Sequence, residues 1–202
     1  TYKNFIPSVY SLLKDEEQQV YMMILDLLGP SLQDVFRQCN HEFSMKTILT
    51  LAITMLNCLE FFHNCGFSHN DIKPNNFVIG RENLNQIYLV DFGISGPIND
   101  RDGNLLMCET NNFPTGISPY SSIRVHWGVT SGRRDDLASL AYILLYFLRG
   151  DLPWDYAKCD WNELFRVKTK MFWPGKNLFE GFPKVFAEFF DYSEKLTYQK
   201  TP

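Results

Sequence analysis

The chain has 202 residues, 45% of them apolar and 21% charged, with a formal net charge of −4. That is enough apolar material for one substantial core, either a single domain or one large lobe of a two-lobed protein, and it excludes a disordered chain. The mildly acidic balance argues against a general nucleic-acid binder or an anionic-membrane binder. The five cysteines, Cys39, Cys58, Cys65, Cys108 and Cys159, contain no C-x-x-C pair and point to reduced thiols in an intracellular protein, cytoplasmic or nuclear.

The chain opens at Thr1 with no initiator methionine and no basic-then-apolar leader, and it reads as incomplete. Residues 9–13 and 20–25 are apolar and partly β-branched or aromatic, which predicts a hairpin around the charged turn Lys14-Asp15-Glu16-Glu17. Gly29-Pro30 ends the extended run. Ser31 with Asp34 three residues on is a capping-box start for a short helix to about Gln38.

Ser44 caps a longer helix predicted to run to about Asn64, with Ile48, Leu49, Leu51, Ala52, Met55, Leu56, Leu59 and Phe62 at helical spacing and Gly66 as its stop. Residues 77–79 and 87–90 predict a small hairpin. The stretch 94–122, rich in Gly, Pro, Asn and Asp, reads as a long functional loop. Residues 136–148 are apolar nearly all round and predict a central buried helix ended by Gly150; the apolar run within it is too short to cross a hydrocarbon core. In the tail, Phe165, Phe172, Trp173, Phe179, Phe182, Phe186, Phe189 and Phe190 read as helical core rather than as a base-stacking surface.

The polar chemistry concentrates in two places, Asn70-Asp71-Ile72-Lys73-Pro74-Asn75-Asn76-Phe77 and Asp91-Phe92-Gly93. D-x-K-x-x-N followed by D-F-G is the spacing that phosphoryl transfer uses. Asp71 orients a hydroxyl or takes its proton, Lys73 meets the moving phosphoryl group, and Asn76 and Asp91 are hard oxygen ligands for Mg2+ that need the phosphates of ATP to complete the site. Upstream of Asp71 there is no G-x-G-x-x-G and no V-A-I-K-like strand. His63, Cys65 and His69, with Cys58 nearby, match no standard zinc spacing and read as packing residues.

Together with Leu27-Leu28-Gly29-Pro30-Ser31-Leu32, Arg133-Arg134-Asp135-Asp136-Leu137 and Leu152-Pro153-Trp154, the catalytic motif resembles the casein kinase 1 family of Ser/Thr protein kinases over nearly the whole chain. The resemblance implies an α+β, mainly α-helical fold: a kinase-like C-terminal lobe (30–202) preceded by a remnant strand pair and hinge of the N-terminal lobe (1–29). It implies a hinge at Asp26, Leu27 and Leu28 whose backbone meets adenine, with Leu25 as gatekeeper and Val78 and Val90 flooring the pocket. Asp136 would support the catalytic loop from beneath, and Gly93 would complete D-F-G. The implied partners are proteins bearing Ser or Thr, with neither nucleic acid nor membrane among them. Arg133 and Arg134 read as pairing locally with Asp135 and Asp136.

Three departures stand out. The family's H-R-D is His69-Asn70-Asp71, and its T-G-T-A-R-Y-A-S is Thr115-Gly116-Ile117-Ser118-Pro119-Tyr120-Ser121-Ser122, so two arginines are missing. Asn112 stands where a further basic residue is usual, which predicts no primed-substrate recognition of the family's kind. Ile117 replaces a threonine that supports the catalytic Asp and Lys. With the missing phosphate-covering half, these leave a second reading open: a pseudokinase or protein-binding module on the same fold.

Overall fold

The computed structural model describes residues 5–110, 118–154, 161–172 and 178–202. Ile117, Asn112, Cys159 and Trp173 lie outside the described residues. The elements run β1 (Val9–Asp15), β2 (Val20–Leu25), α1 (Leu32–Gln38), α2 (Met45–Asn64), β3 (Phe67–Ser68), a 3-10 turn (Pro74–Asn76), β4 (Phe77–Ile79), β5 (Ile87–Leu89), β6 (Gly96–Pro97), α3 (Ile123–His126), α4 (Arg133–Arg149), α5 (Trp161–Phe172) and α6 (Lys184–Lys195). This is a mixed α+β, mainly helical architecture: a small strand region ahead of a larger helical lobe.

Local chemistry sets the helix ends. The Ser31 hydroxyl accepts from the Asp34 N–H at 3.2 Å while the Asp34 carboxylate reaches back to Ser31, closing the capping box. Ser44 accepts from Thr47 N–H at 3.1 Å and starts α2. Gly150 ends α4 at φ +88°, the left-handed conformation a side chain disfavours. α4 begins three residues before the expected Asp136, because Gly132 is the cap and the Asp135 carboxylate accepts the Gly132 N–H at 3.1 Å.

The core sits where α4 crosses α2 and α6. Residues 135–147 of α4 are all buried, and Met55, Leu59 and Phe62 of α2 meet them from one side. Phe179 and Phe186 join that core, and Phe189 and Phe190 pack against it, so these four residues of the aromatic tail are packing residues. α2 is long and apolar enough to cross a membrane by length and composition alone, and here its buried face packs on α4.

Three two-stranded antiparallel ladders complete the fold. β1 pairs with β2 with an irregularity between Val9 and Ser11, and β4 pairs with β5 in the register Phe77↔Leu89, Val78↔Tyr88, Ile79↔Ile87. The third, β3 with β6, is absent from the sequence reading: it is two residues per strand, too short to show a period. In the described part of the 94–122 stretch, β6 and an Asn99↔Leu105 bridge interrupt the expected loop, and Thr110 bridges to Val129 beyond α3. β1 and β2 expose apolar side chains on both faces, Tyr10 at 69%, Leu12 at 67% and Tyr21 at 65% among them.

Candidate active site

The segment that carries Asp71 is held from below by one carboxylate. Asp136, 1% exposed in the first turns of α4, accepts the His69 N–H at 2.8 Å and the His63 Nε2–H at 2.8 Å on Oδ2, and the Asn70 N–H at 2.8 Å on Oδ1. A buried charge is tolerable when its lone pairs are filled in this way. The expected local pairing therefore fails for Arg133 and for Asp136 but holds between Arg134 and Asp135. Asp135 binds Arg124 Nε at 3.0 Å and the Ser122 hydroxyl at 2.6 Å, whereas Arg133 reaches the Thr201 hydroxyl and the Gln199 carbonyl. Only Arg134 keeps a partner nearby, Asp135 at 3.5 Å. A carboxylate at a helix start is favoured there, and for Asp136 the N–H donors come from residues 69 and 70 and from His63 at the end of α2.

His69 is fully buried and works in the other direction. Its Nδ1 accepts the Asp71 N–H at 3.3 Å, which makes Nε2 the protonated nitrogen that donates to the Val90 carbonyl at 3.0 Å. One ring thus bridges the residue before Asp91 and Asp71 itself. It is packed by Phe62 and Phe92, whose centroids lie 5.8 and 5.5 Å from it and 5.1 Å from each other. His63 and His69 therefore have separate duties, Cys58 is buried with its thiol toward the Ile87 carbonyl, and Cys65 is exposed.

Above this support lies the polar triangle. Lys73 Nζ donates to Asp71 Oδ2 at 2.6 Å, and Asn76 Nδ2 donates to the Asp71 carbonyl at 2.8 Å and to Oδ2 at 3.2 Å. The alternation comes from the backbone: Lys73 is extended at φ −151°, ψ 159°, and Pro74 then opens the 3-10 turn that brings Asn76 back under Asp71. The Asp71 and Lys73 side chains are 13% and 30% exposed, so the pair is partly open to a substrate, while Asn76 is buried.

The second motif joins the first through the main chain. Val90 N–H donates to the Asn76 carbonyl at 3.0 Å, one step beyond the Phe77↔Leu89 pair, which carries Asp91 to the edge of the triangle. Asp91 is exposed, has φ +66° and makes no side-chain hydrogen bond among the described residues. Gly93 leaves room beside it: a Cβ there would lie 3.4 Å from Asp91 Oδ1. The fit to a magnesium ion follows from the donor set. Asn76 has committed its nitrogen to Asp71, which leaves its amide oxygen as the ligand atom, and Asp91 offers an unpaired carboxylate. Two hard oxygens suit a cation that brings its own water and phosphate ligands. No cluster of three His, Cys, Asp or Glu side chains occurs among the described residues.

The expected adenine region borders the same ribbon. Gly29 N–H donates to the Ile79 carbonyl at 2.8 Å and Ile79 N–H to the Pro30 carbonyl at 3.0 Å, with a Ser31↔Val78 bridge, so residues 29–31 run along the free edge of β4. Val78 and Val90 are half-buried on that ribbon. Leu25 ends β2 at 39% exposure and Leu27 is 71% exposed, with Leu28 half-buried. Asp26 is spent on the protein: its N–H donates to the Ser8 carbonyl, and its carboxylate accepts the Tyr10 hydroxyl and the Ser8 N–H. Those bonds, the Tyr10 hydroxyl first, hold the Asp26 carboxyl below the usual carboxylate range. The Leu27 and Leu28 main-chain groups make no hydrogen bond among the described residues. Sequence reasoning did not find Ser8, Tyr10 or the role of His63, because each acts across a long sequence separation and no local spacing marks it.

A family model described as the protein kinase domain matches residues 3–192, which is nearly the entire chain. That match covers both motifs, the Asp136 support and the ribbon that carries residues 29–31. The chain belongs to the protein kinase family.

Proposed function

We propose that this protein is a Ser/Thr protein kinase of casein kinase 1 type that transfers the γ-phosphoryl group of ATP to protein hydroxyls. The observation that carries the reading is the Asp71–Lys73–Asn76 triangle held over Asp136. Asp71 Oδ2 is a carboxylate already within 2.6 Å of a cation and partly open, placed to orient a substrate hydroxyl and accept its proton. Lys73 would turn from Asp71 toward the transferring group and offset its charge. Asn76 and Asp91 are the residues that would hold Mg2+, which supplies charge neutralisation to the phosphates when bound. The unpaired main-chain groups of Leu27 and Leu28 would meet the adenine edge, with Leu25, Asp26, Val78 and Val90 around it.

In this reading, residues 1–29 are the end of a small lobe and its hinge, and 30–202 are the large lobe. Among the described residues Cys39, Cys65 and Cys108 are exposed free thiols, which supports an intracellular setting. A second reading, a protein-binding module with little or no transfer, is favoured by one observation, the apolar side chains that β1 and β2 expose on both faces. Phosphate transfer from labelled ATP by the full-length protein, lost in Asp71→Asn, supports the kinase. Nucleotide-independent partner binding with no Asp71-dependent transfer supports the module.

A further inference from the structure

Asp91 has no side-chain partner of its own among the described residues and stands at φ +66°, so the place of its carboxylate is set by the main chain on either side. The upstream side is fixed by Val90, whose N–H and carbonyl are bonded to Asn76 and His69. The downstream side is fixed by the peptide three residues later. Asn70 Nδ2 donates to the Ile94 carbonyl at 3.0 Å. The Ser95 hydroxyl donates to the His69 carbonyl at 3.2 Å, and Ser68↔Gly96 and Phe67↔Pro97 continue the seam as a ladder. A Cβ on Gly96 would lie 3.5 Å from Asn70 Nδ2, which shows how closely the two segments pass.

Asn70 suits this task in two ways. Its φ of +68° is a conformation that asparagine adopts more readily than most residues, and its backbone is locked because Asp136 holds its N–H. It is poorly explained as a stabilising residue, since its Oδ1 is buried without a hydrogen-bond partner. An amide kept at a cost to stability is better explained by what its nitrogen holds.

We propose that Asn70 is a positioning residue for the metal step: by tying the Ile94 carbonyl to the catalytic loop, it sets where the Asp91 carboxylate stands and so tunes Mg2+ affinity. This rests on the reading of Asp91 as a metal ligand. Residues that orient a metal ligand from behind typically change metal affinity about tenfold to a hundredfold when lost.

The test uses the full-length protein with two substitutions. Asn70→Gly keeps the positive φ and removes the amide, while Asn70→Asp keeps the shape and sets an oxygen against the Ile94 carbonyl. Binding of a fluorescent ATP analogue is followed as Mg2+ is varied, together with the melting temperature and amide hydrogen exchange across residues 92–98. The expected result is a half-saturating Mg2+ concentration raised about tenfold or more in both variants, with faster exchange at 94–97 and little change in melting temperature. An unchanged Mg2+ dependence, or unchanged exchange at 94–97, overturns the proposal. If the unsubstituted protein shows no Mg2+-dependent nucleotide binding at all, the kinase reading of Asp91 falls instead. Exchange then decides the seam alone: faster exchange at 94–97 in Asn70→Gly upholds the tie, and retained protection removes it.

Discussion

Asp136→Asn removes one charge and almost no volume, and its cost can be worked from three bonds. The carboxylate accepts three donors at 2.8 Å while 1% exposed. An amide keeps one acceptor oxygen, and its cheapest orientation leaves that oxygen for His69 and His63 and turns the NH2 toward the Asn70 N–H. That loses a charge-assisted hydrogen bond, about 1.5–3 kcal/mol, and strands a buried donor, about 1–3 kcal/mol, for a total of about 2.5–6 kcal/mol. For a chain of this size each kcal/mol lowers the melting temperature by about 2–4 °C, so the variant should melt about 5–24 °C lower by calorimetry, with a matching drop in the urea midpoint. Freed from below, Asn70 and Asp71 should also shift enough to cost about a hundredfold in turnover. A destabilisation below about 1 kcal/mol would refute the argument that this carboxylate carries the loop.

Two further substitutions probe the close approach of Gly29 to β4 and the acid limb. At Gly29 an added Cβ would meet the Ile79 carbonyl at 2.9 Å, and that same oxygen already accepts the Gly29 N–H at 2.8 Å, so the backbone has no room to retreat. Gly29→Ala should cost about 1–3 kcal/mol in urea unfolding and weaken ATP binding; unchanged stability and affinity would show that the hinge does not depend on this approach. His126 is driven down to about 3 from an ordinary 6.5, by burial first and by Lys168 second. Because the unfolded chain takes up the proton and the folded one does not, stability should fall as pH drops from 6.5 toward about 3. His126→Gln should flatten that limb, and parallel pH profiles for the two proteins would contradict the assignment.

What the sequence made legible were the features with a short-range mark. The Ser31 capping box, the Ser44 cap, the Gly150 stop and the 77–79 with 87–89 hairpin each follow from residues within a few positions of one another. The D-x-K-x-x-N triangle closes within six residues, so its spacing already implied that Asp71, Lys73 and Asn76 could meet. The contacts that position the triangle were hidden. His63 and Asp136 are 73 residues apart, and Arg124 reaches Asp135 across 11 residues, closer than Arg134, the sequence neighbour of Asp135. Such choices depend on which donors remain unpaired after the helices pack, and a linear pattern does not record that. The β3 with β6 ladder was invisible for a different reason, since two residues per strand display no alternation.

The central claim is that the triangle over Asp136 performs phosphoryl transfer, and it is tested most directly with full-length protein, γ-labelled ATP, Mg2+ and a mixed Ser/Thr peptide substrate. The account predicts label on peptide hydroxyls, reduced by about 10²–10⁴ in Asp71→Asn while the melting temperature stays within a few degrees of the unsubstituted protein. Transfer that persists at the same rate in Asp71→Asn, or no transfer by a folded protein that binds Mg2+ and ATP, would contradict it.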